Sequence, residues 1–154
     1  MDDELELLRL SAFYAPYPQD RAKALLDLAI RTPDQEDWKI FLQNELRSQK
    51  NSSFLENYLE RITLFPGSGI FVLPELLNLS NHTEYYVRGK ALDVLGHLVF
   101  WSGHQVSYDQ WHPFLIARLN DEYGDIAESA KVILTKIEQS IQTKMKKPRK
   151  RNSE

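Results

Sequence analysis

The chain contains 154 residues, of which 42% are hydrophobic and 27% are charged, and its formal net charge is −3. This composition is typical of a single globular domain that is large enough to bury a hydrophobic core. The sequence contains no cysteine, which excludes disulfide bonds, thiolate metal sites and cysteine nucleophiles.

Charge is distributed unevenly along the chain. Residues 144–154 hold six of the 19 basic residues and one of the 22 acidic residues, so residues 1–143 carry a net charge of about −8. We expect residues 1–143 to form one domain and residues 144–154 to be a basic, disordered tail. An acidic domain favours a cationic partner, because opposite charges attract one another over long range and speed encounter.

The N-terminal residues lack the basic start and the apolar run of a secretory signal. No apolar stretch approaches the roughly eighteen residues that a transmembrane helix needs. We therefore expect a cytoplasmic protein without a membrane span.

Apolar residues recur at helical spacing along the whole chain, and no segment alternates as a strand does. In the first half, this spacing predicts four helices. The first runs from about Leu5 to the turn at Pro16–Pro18, and the second covers about 19–31. The third opens at Thr32–Pro33 and includes Trp38 to Leu46, and the fourth opens at Ser53 and includes Phe54 to Ile62. After the break at Pro66–Gly69, the spacing predicts four more, over about 71–79, 83–101, 108–119 and 122–143. Short connections between these eight helices predict four antiparallel pairs.

At three sites a Ser or Thr is followed three residues later by Gln or Glu, which is the pattern of a capping box at a helix start. They are Thr32 with Gln35, Ser53 with Glu56, and Ser107 with Gln110. At the first site Pro33 would occupy the first helical position, where proline is favoured. We therefore predict that Thr32, Ser53 and Ser107 are N-caps.

Two stretches of the chain, Pro74–Leu98 and Pro113–Ile137, are copies of each other, 39 positions apart. The identical positions are Pro74/Pro113, Leu76/Leu115, Asn81/Asn120, Ala91/Ala130 and Leu95/Leu134. Four further positions exchange one aliphatic residue for another, whereas ordinary composition gives roughly one or two identities in such a window. A repeat of this length predicts stacked helical hairpins.

This repeat resembles the HEAT family of helical hairpins. Pro74 early in the first helix, the turn at Asn81 and the Val87–Arg88 start of the second helix fit the pattern of that family, although the copy carries Ala127 in place of the arginine. In the first half, only the segment from Arg21 resembles the segment from Arg88. The resemblance implies an all-α, right-handed stack of about four hairpins, an α-solenoid. Solenoids commonly bind partners through the concave face, and the sequence leaves open whether this face or an edge of the stack binds the partner.

The sequence offers no recognisable catalytic or metal-binding motif. The histidines lack the i, i+4 spacing that places two imidazoles on one helix face. The sequence also lacks a phosphate-binding glycine motif and a nucleophile elbow. We therefore expect no catalytic residue, no metal and no cofactor.

Aromatic and acidic residues gather at the turns of the repeats, and such residues can form a protein interface. We predict a partner-binding surface made of Glu84, Tyr85, Tyr86, Asp121, Glu122, Tyr123 and Asp125. The alternative is structural: the tyrosines would cover the core, and the carboxylates would complement helix dipoles. Trp101 and Trp111 lie near the same turn and fit the structural interpretation better.

The basic tail includes Lys146, Lys147, Arg149, Lys150 and Arg151. Such a segment is compatible with a nuclear import signal, a nucleic-acid arm, a membrane-surface contact or a solubilising end.

Together, these features favour a non-catalytic protein that binds another protein, with an oligomeric state that the sequence leaves open. Small size, an acidic domain and the lack of a catalytic motif suit an inhibitor of a cationic enzyme, as an immunity protein is for a nuclease-type toxin. Nucleases need basic clefts to bind phosphates, and an acidic surface can cover such a cleft. Two alternatives stay open: a scaffold or adaptor in a larger assembly, and a nucleic-acid-binding protein that uses its tail.

Overall fold

A computed structural model describes residues 3–32, 36–63, 70–100 and 107–146. These residues form eight α-helices and no strand, which confirms the all-α prediction. The helices are α1 (Asp3–Tyr14), α2 (Pro18–Arg31), α3 (Asp37–Ser48), α4 (Ser52–Thr63), α5 (Leu73–Leu79), α6 (Tyr85–Phe100), α7 (Tyr108–Arg118) and α8 (Gly124–Lys146). A short 3-10 turn, Ile70–Val72, precedes α5. None of the described helices combines the length and apolarity that a membrane span requires.

The even-numbered helices form a continuous layer. Contacts run from α2 to α4, from α4 to α6 and from α6 to α8, while α1, α5 and α7 each pack on the helix that follows them. The odd-numbered helices α3, α5 and α7 also contact one another in series. This pattern is compatible with stacked hairpins, whereas the right-handed superhelix stays a prediction.

The core lies between the two layers and uses the positions that the repeat predicts. Val87, Ala91 and Leu95 of α6 are fully buried, as is Ala130 of α8. Ala91 and Ala130 let the axes of neighbouring helices approach closely, because the alanine side chain adds little volume.

A second internal likeness links α3 to α7. Trp38, Phe41 and Leu42 have the same spacing as Trp111, Phe114 and Leu115. Trp38 and Trp111 are both buried, which supports the structural interpretation of Trp111.

Two of the three predicted N-caps are wrong. The Thr32 hydroxyl donates to the carbonyl of Leu28 at the end of α2, so Thr32 closes one helix and does not open the next. At α4 the side chain of Asn51 accepts the backbone N–H of Ser53, so Asn51 takes the place predicted for Ser53. Asparagine is at least as good an N-cap as serine, and Asn51 directly precedes α4, whereas Ser53 already lies within the helix.

The third N-cap prediction is confirmed. The Ser107 hydroxyl accepts the backbone N–H of Gln110 at the start of α7.

Helix α8 continues to Lys146, three residues beyond the predicted end of the domain. The remaining predicted tail residues Lys147, Arg149, Lys150 and Arg151 lie outside the described residues, as do Pro33–Gln35, Pro66–Gly69 and Trp101.

Candidate partner-binding site

A buried ion pair between Arg88 of α6 and Asp121, in the loop before α8, joins the two repeats. Nε and Nη2 of Arg88 donate to the two carboxylate oxygens of Asp121 at 2.8 and 3.0 Å. Nη1 of Arg118 donates to the same carboxylate at 2.8 Å. Arg88 Nη1 also donates to the carbonyls of His82 and Thr83. Arg88 therefore holds the loop before its own helix against the loop before α8.

This environment keeps Asp121 ionised. Burial raises the pKa of Asp121, but the hydrogen bonds from Arg88 and from the Tyr123 backbone N–H, with the charges of Arg88 and Arg118, lower it below its usual value. The side chain of Asp121 is only 1% exposed. Asp121 is therefore a structural residue, and we correct its predicted place on the partner-binding surface.

A related arrangement occurs in the first half of the chain. Nε of Arg21 donates to the carbonyl of Ala15, six residues earlier, and its Nη1 lies 3.3 Å from Glu45 Oε1 of α3. The Arg21 guanidinium lies 4.7 Å from the ring centroid of Phe54, at the start of α4. The sequence likeness between the segments that begin at Arg21 and Arg88 thus corresponds to a common structural role.

The second copy of the repeat carries Ala127 at the position of Arg88. Arg21 and Arg88 each bind a carboxylate that belongs to a later helix pair. Ala127 lies at the same register of α8, and α8 is the last described helix.

Above the ion pair, two tyrosines stack across the loops that precede α6 and α8. The ring centroids of Tyr85 and Tyr123 are 4.3 Å apart, and the ring planes differ by 20°. Tyr86 packs edge-on against Tyr85 at 5.6 Å and is partly buried against the core. Tyr85 and Tyr123 remain 48% and 42% exposed, so two predicted tyrosines form one aromatic surface.

The predicted carboxylates have different positions. Glu122 and Asp125 are exposed beside Tyr123, whereas Glu84 is half-buried. The backbone N–H of Glu84 donates to His82 Nδ1 at 3.0 Å. The His82 side chain therefore stabilises the turn before α6, a role that was not predicted from the sequence.

Next to the stacked tyrosines, a groove of about 310 Å³ runs between α6 and α8. Tyr85, Tyr86 and Tyr123 line one end of the groove, here called its mouth, and Asp93 and Asp125 also line it. The groove continues towards Phe100 as a second depression of about 380 Å³. This groove was not predicted from the sequence.

The described residues contain no group of three or more side chains arranged to hold a metal ion. Comparison with family models, with curated proteins and with solved structures finds no match to this chain.

Proposed function

We propose that this chain is a non-catalytic protein-binding module whose partner is a basic protein. More specifically, we propose a stoichiometric inhibitor of the immunity type, which neutralises a nuclease-type toxin in the cytoplasm. The observation that carries the proposal is the exposed stack of Tyr85 on Tyr123, bordered by Glu122 and Asp125.

Stacked tyrosines suit protein recognition for a physical reason. Tyrosine has few rotatable bonds, so an ordered ring offers apolar area at a low cost in conformational entropy. The Arg88–Asp121 ion pair directly beneath the stack fixes both loops before the partner arrives. Pre-organisation of this kind favours affinity, because less freedom is lost on binding.

The carboxylates around the stack favour a partner of opposite charge. Glu122 and Asp125 are exposed, and they have no hydrogen bond or ion pair within the described part of the chain. The acidic domain would attract the basic cleft of a nuclease and speed its association. Occupation of that cleft would exclude the nucleic acid.

The proposal can be tested by tagged capture from the native host, followed by an enzyme assay. We expect one basic protein at a one-to-one ratio, whose nuclease activity falls as the purified chain is added. The double variant Tyr85→Ala/Tyr123→Ala should lose both capture and inhibition.

Tyr14→Ala/Tyr17→Ala provides a matched control, because these tyrosines are 73% and 62% exposed at the other end of the chain. Capture of several neutral or acidic proteins would support a scaffold instead. Capture of nucleic acid would contradict the proposal.

A further inference from the structure

The groove between α6 and α8 is open because α6 presents two glycines to α8. Gly89 and Gly96 are seven residues apart, so they lie on one face of the helix. They face Ile126 and Ile133, and a methyl group added at Gly96 would lie 3.8 Å from the Ile133 side chain. Two missing side chains thus leave an indentation with an apolar floor.

The groove has an excess of negative charge. Asp93, Asp125 and Glu128 line it, and none of them has a hydrogen bond or ion pair within the described ranges. Lys90 also lines the groove, but its Nζ lies 3.3 Å from Glu60 Oε1 on the opposite side. A cationic group in the groove would therefore meet carboxylates that accept no hydrogen bond, while the charges of Lys90 and His97 already act on Asp93.

The tyrosines at the mouth favour arginine over lysine. A guanidinium group is flat, stacks on aromatic rings and binds carboxylates through two parallel hydrogen bonds, whereas an ammonium group is a compact point charge. The chain already combines these contacts internally. Arg88 binds both oxygens of Asp121 and lies 5.9 Å from the Tyr123 ring centroid.

We propose that this groove receives an arginine side chain from a basic segment of the partner protein. The guanidinium would lie against the tyrosines at the mouth and between Asp93 and Asp125, while the aliphatic part of the side chain covers the glycine floor. The inference rests on the proposed function, since the arginine comes from the protein partner.

The test uses two fluorescein-labelled peptides of equal length and charge, one of alternating Gly and Arg and one of alternating Gly and Lys. Their binding to the full chain is measured by fluorescence anisotropy at two salt concentrations. We expect the arginine peptide to bind about fivefold more tightly than the lysine peptide, because of cation–π contact.

The double variant Asp93→Asn/Asp125→Asn should bind the arginine peptide about tenfold more weakly and show a smaller preference for arginine over lysine. Asp20→Asn/Asp27→Asn is the matched control, because it removes the same charge from a separate groove between α1 and α2. We expect this control to retain the preference for arginine.

Three results would overturn the inference: no peptide binding, equal affinity for the two peptides, or an equal loss in both double variants. The proposed function can fail separately. If the chain prefers the arginine peptide but captures no basic protein from the host, the proposed inhibitor function is contradicted and the arginine-binding groove is not. If a nuclease is captured and Asp93→Asn/Asp125→Asn does not change its affinity, the arginine-binding groove is contradicted and the proposed inhibitor function is not.

Discussion

Arg88 and Asp121 are 33 residues apart in sequence, yet they form a two-pronged ion pair that is shielded from solvent. The pair connects α6 to the loop that starts α8, and it lies directly under the stacked tyrosines. Fold and candidate site therefore depend on the same contact.

Removal of Asp121 should destabilise the fold strongly. Asp121→Ala leaves Arg88 buried without its carboxylate, and loss of one partner from such a pair costs about 3–5 kcal/mol of unfolding free energy. Urea denaturation followed by circular dichroism measures this loss. In the control Glu36→Ala, the exposed pair with Lys39 is removed, and about 1 kcal/mol or less should be lost. Similar losses in the two variants would contradict the structural role of Asp121.

The contribution of Asp121 should depend on pH. Its pKa is lowered in the folded state, so its stabilising effect is complete above the ordinary aspartate pKa of about 3.9. This effect is lost as pH falls from there through the lowered folded value, because the unfolded chain takes up the proton first. Unfolding free energies of the wild type and Asp121→Asn should therefore converge in acid. A difference that is constant from neutral pH to strong acid would refute this assignment.

Replacement of the two glycines at the groove floor should raise the unfolding free energy and lower the affinity for the arginine peptide. Gly89→Ala and Gly96→Ala should each raise the unfolding free energy by about 0.5–1 kcal/mol, because alanine is the better residue inside a helix. The added methyl groups meet Ile126 and Ile133 at ordinary contact distances. The same substitutions should weaken binding of the arginine peptide, since the groove becomes shallower. Denaturation and anisotropy measure the two effects.

Gly124→Ala supplies the control for this pair, because no atom lies within 4 Å of the added methyl group. It should leave peptide affinity unchanged. Unchanged affinity in Gly89→Ala/Gly96→Ala would indicate that the bound segment does not reach the floor.

The tyrosine stack should contribute more to binding than to folding. A double-mutant cycle between Tyr85→Ala and Tyr123→Ala should give a coupling of about 0.5–1.5 kcal/mol in unfolding free energy. Both rings are roughly half exposed, so the total loss of stability should be modest. The binding free energy for the captured partner, measured by calorimetry, should fall by far more than the unfolding free energy does. A large loss of stability with unchanged affinity would assign the tyrosines to the core.

Helical spacing predicted the eight helices because each helix buries one apolar stripe, as Val87, Ala91 and Leu95 illustrate. Helix ends were harder to predict, since several polar residues compete for the same backbone groups. Thr32 has an N-cap sequence pattern, but its hydroxyl binds Leu28 and its carbonyl accepts the indole N–H of Trp38.

The candidate site was predictable only in part. The repeat placed Tyr85 and Tyr123 at equivalent turns, so a shared surface could be expected. The burial of Asp121 depends on how α6 and α8 align, which spacing within one helix does not reveal. The groove was not predicted from the sequence, although two glycines seven residues apart in a helix, such as Gly89 and Gly96, are a usable signal.

The serial packing of the even-numbered helices has a consequence for how the molecule opens. Each main contact joins elements that are near neighbours along the chain, so the fold contains few links between distant parts of the sequence. Such topologies form quickly, and their ends can detach while the middle persists. Separation of the α7–α8 pair from the rest of the molecule would break both the Arg88 ion pair and the packing of α8 on α6. A bound partner that bridges Tyr85 and Tyr123 would close that gap and slow the local opening.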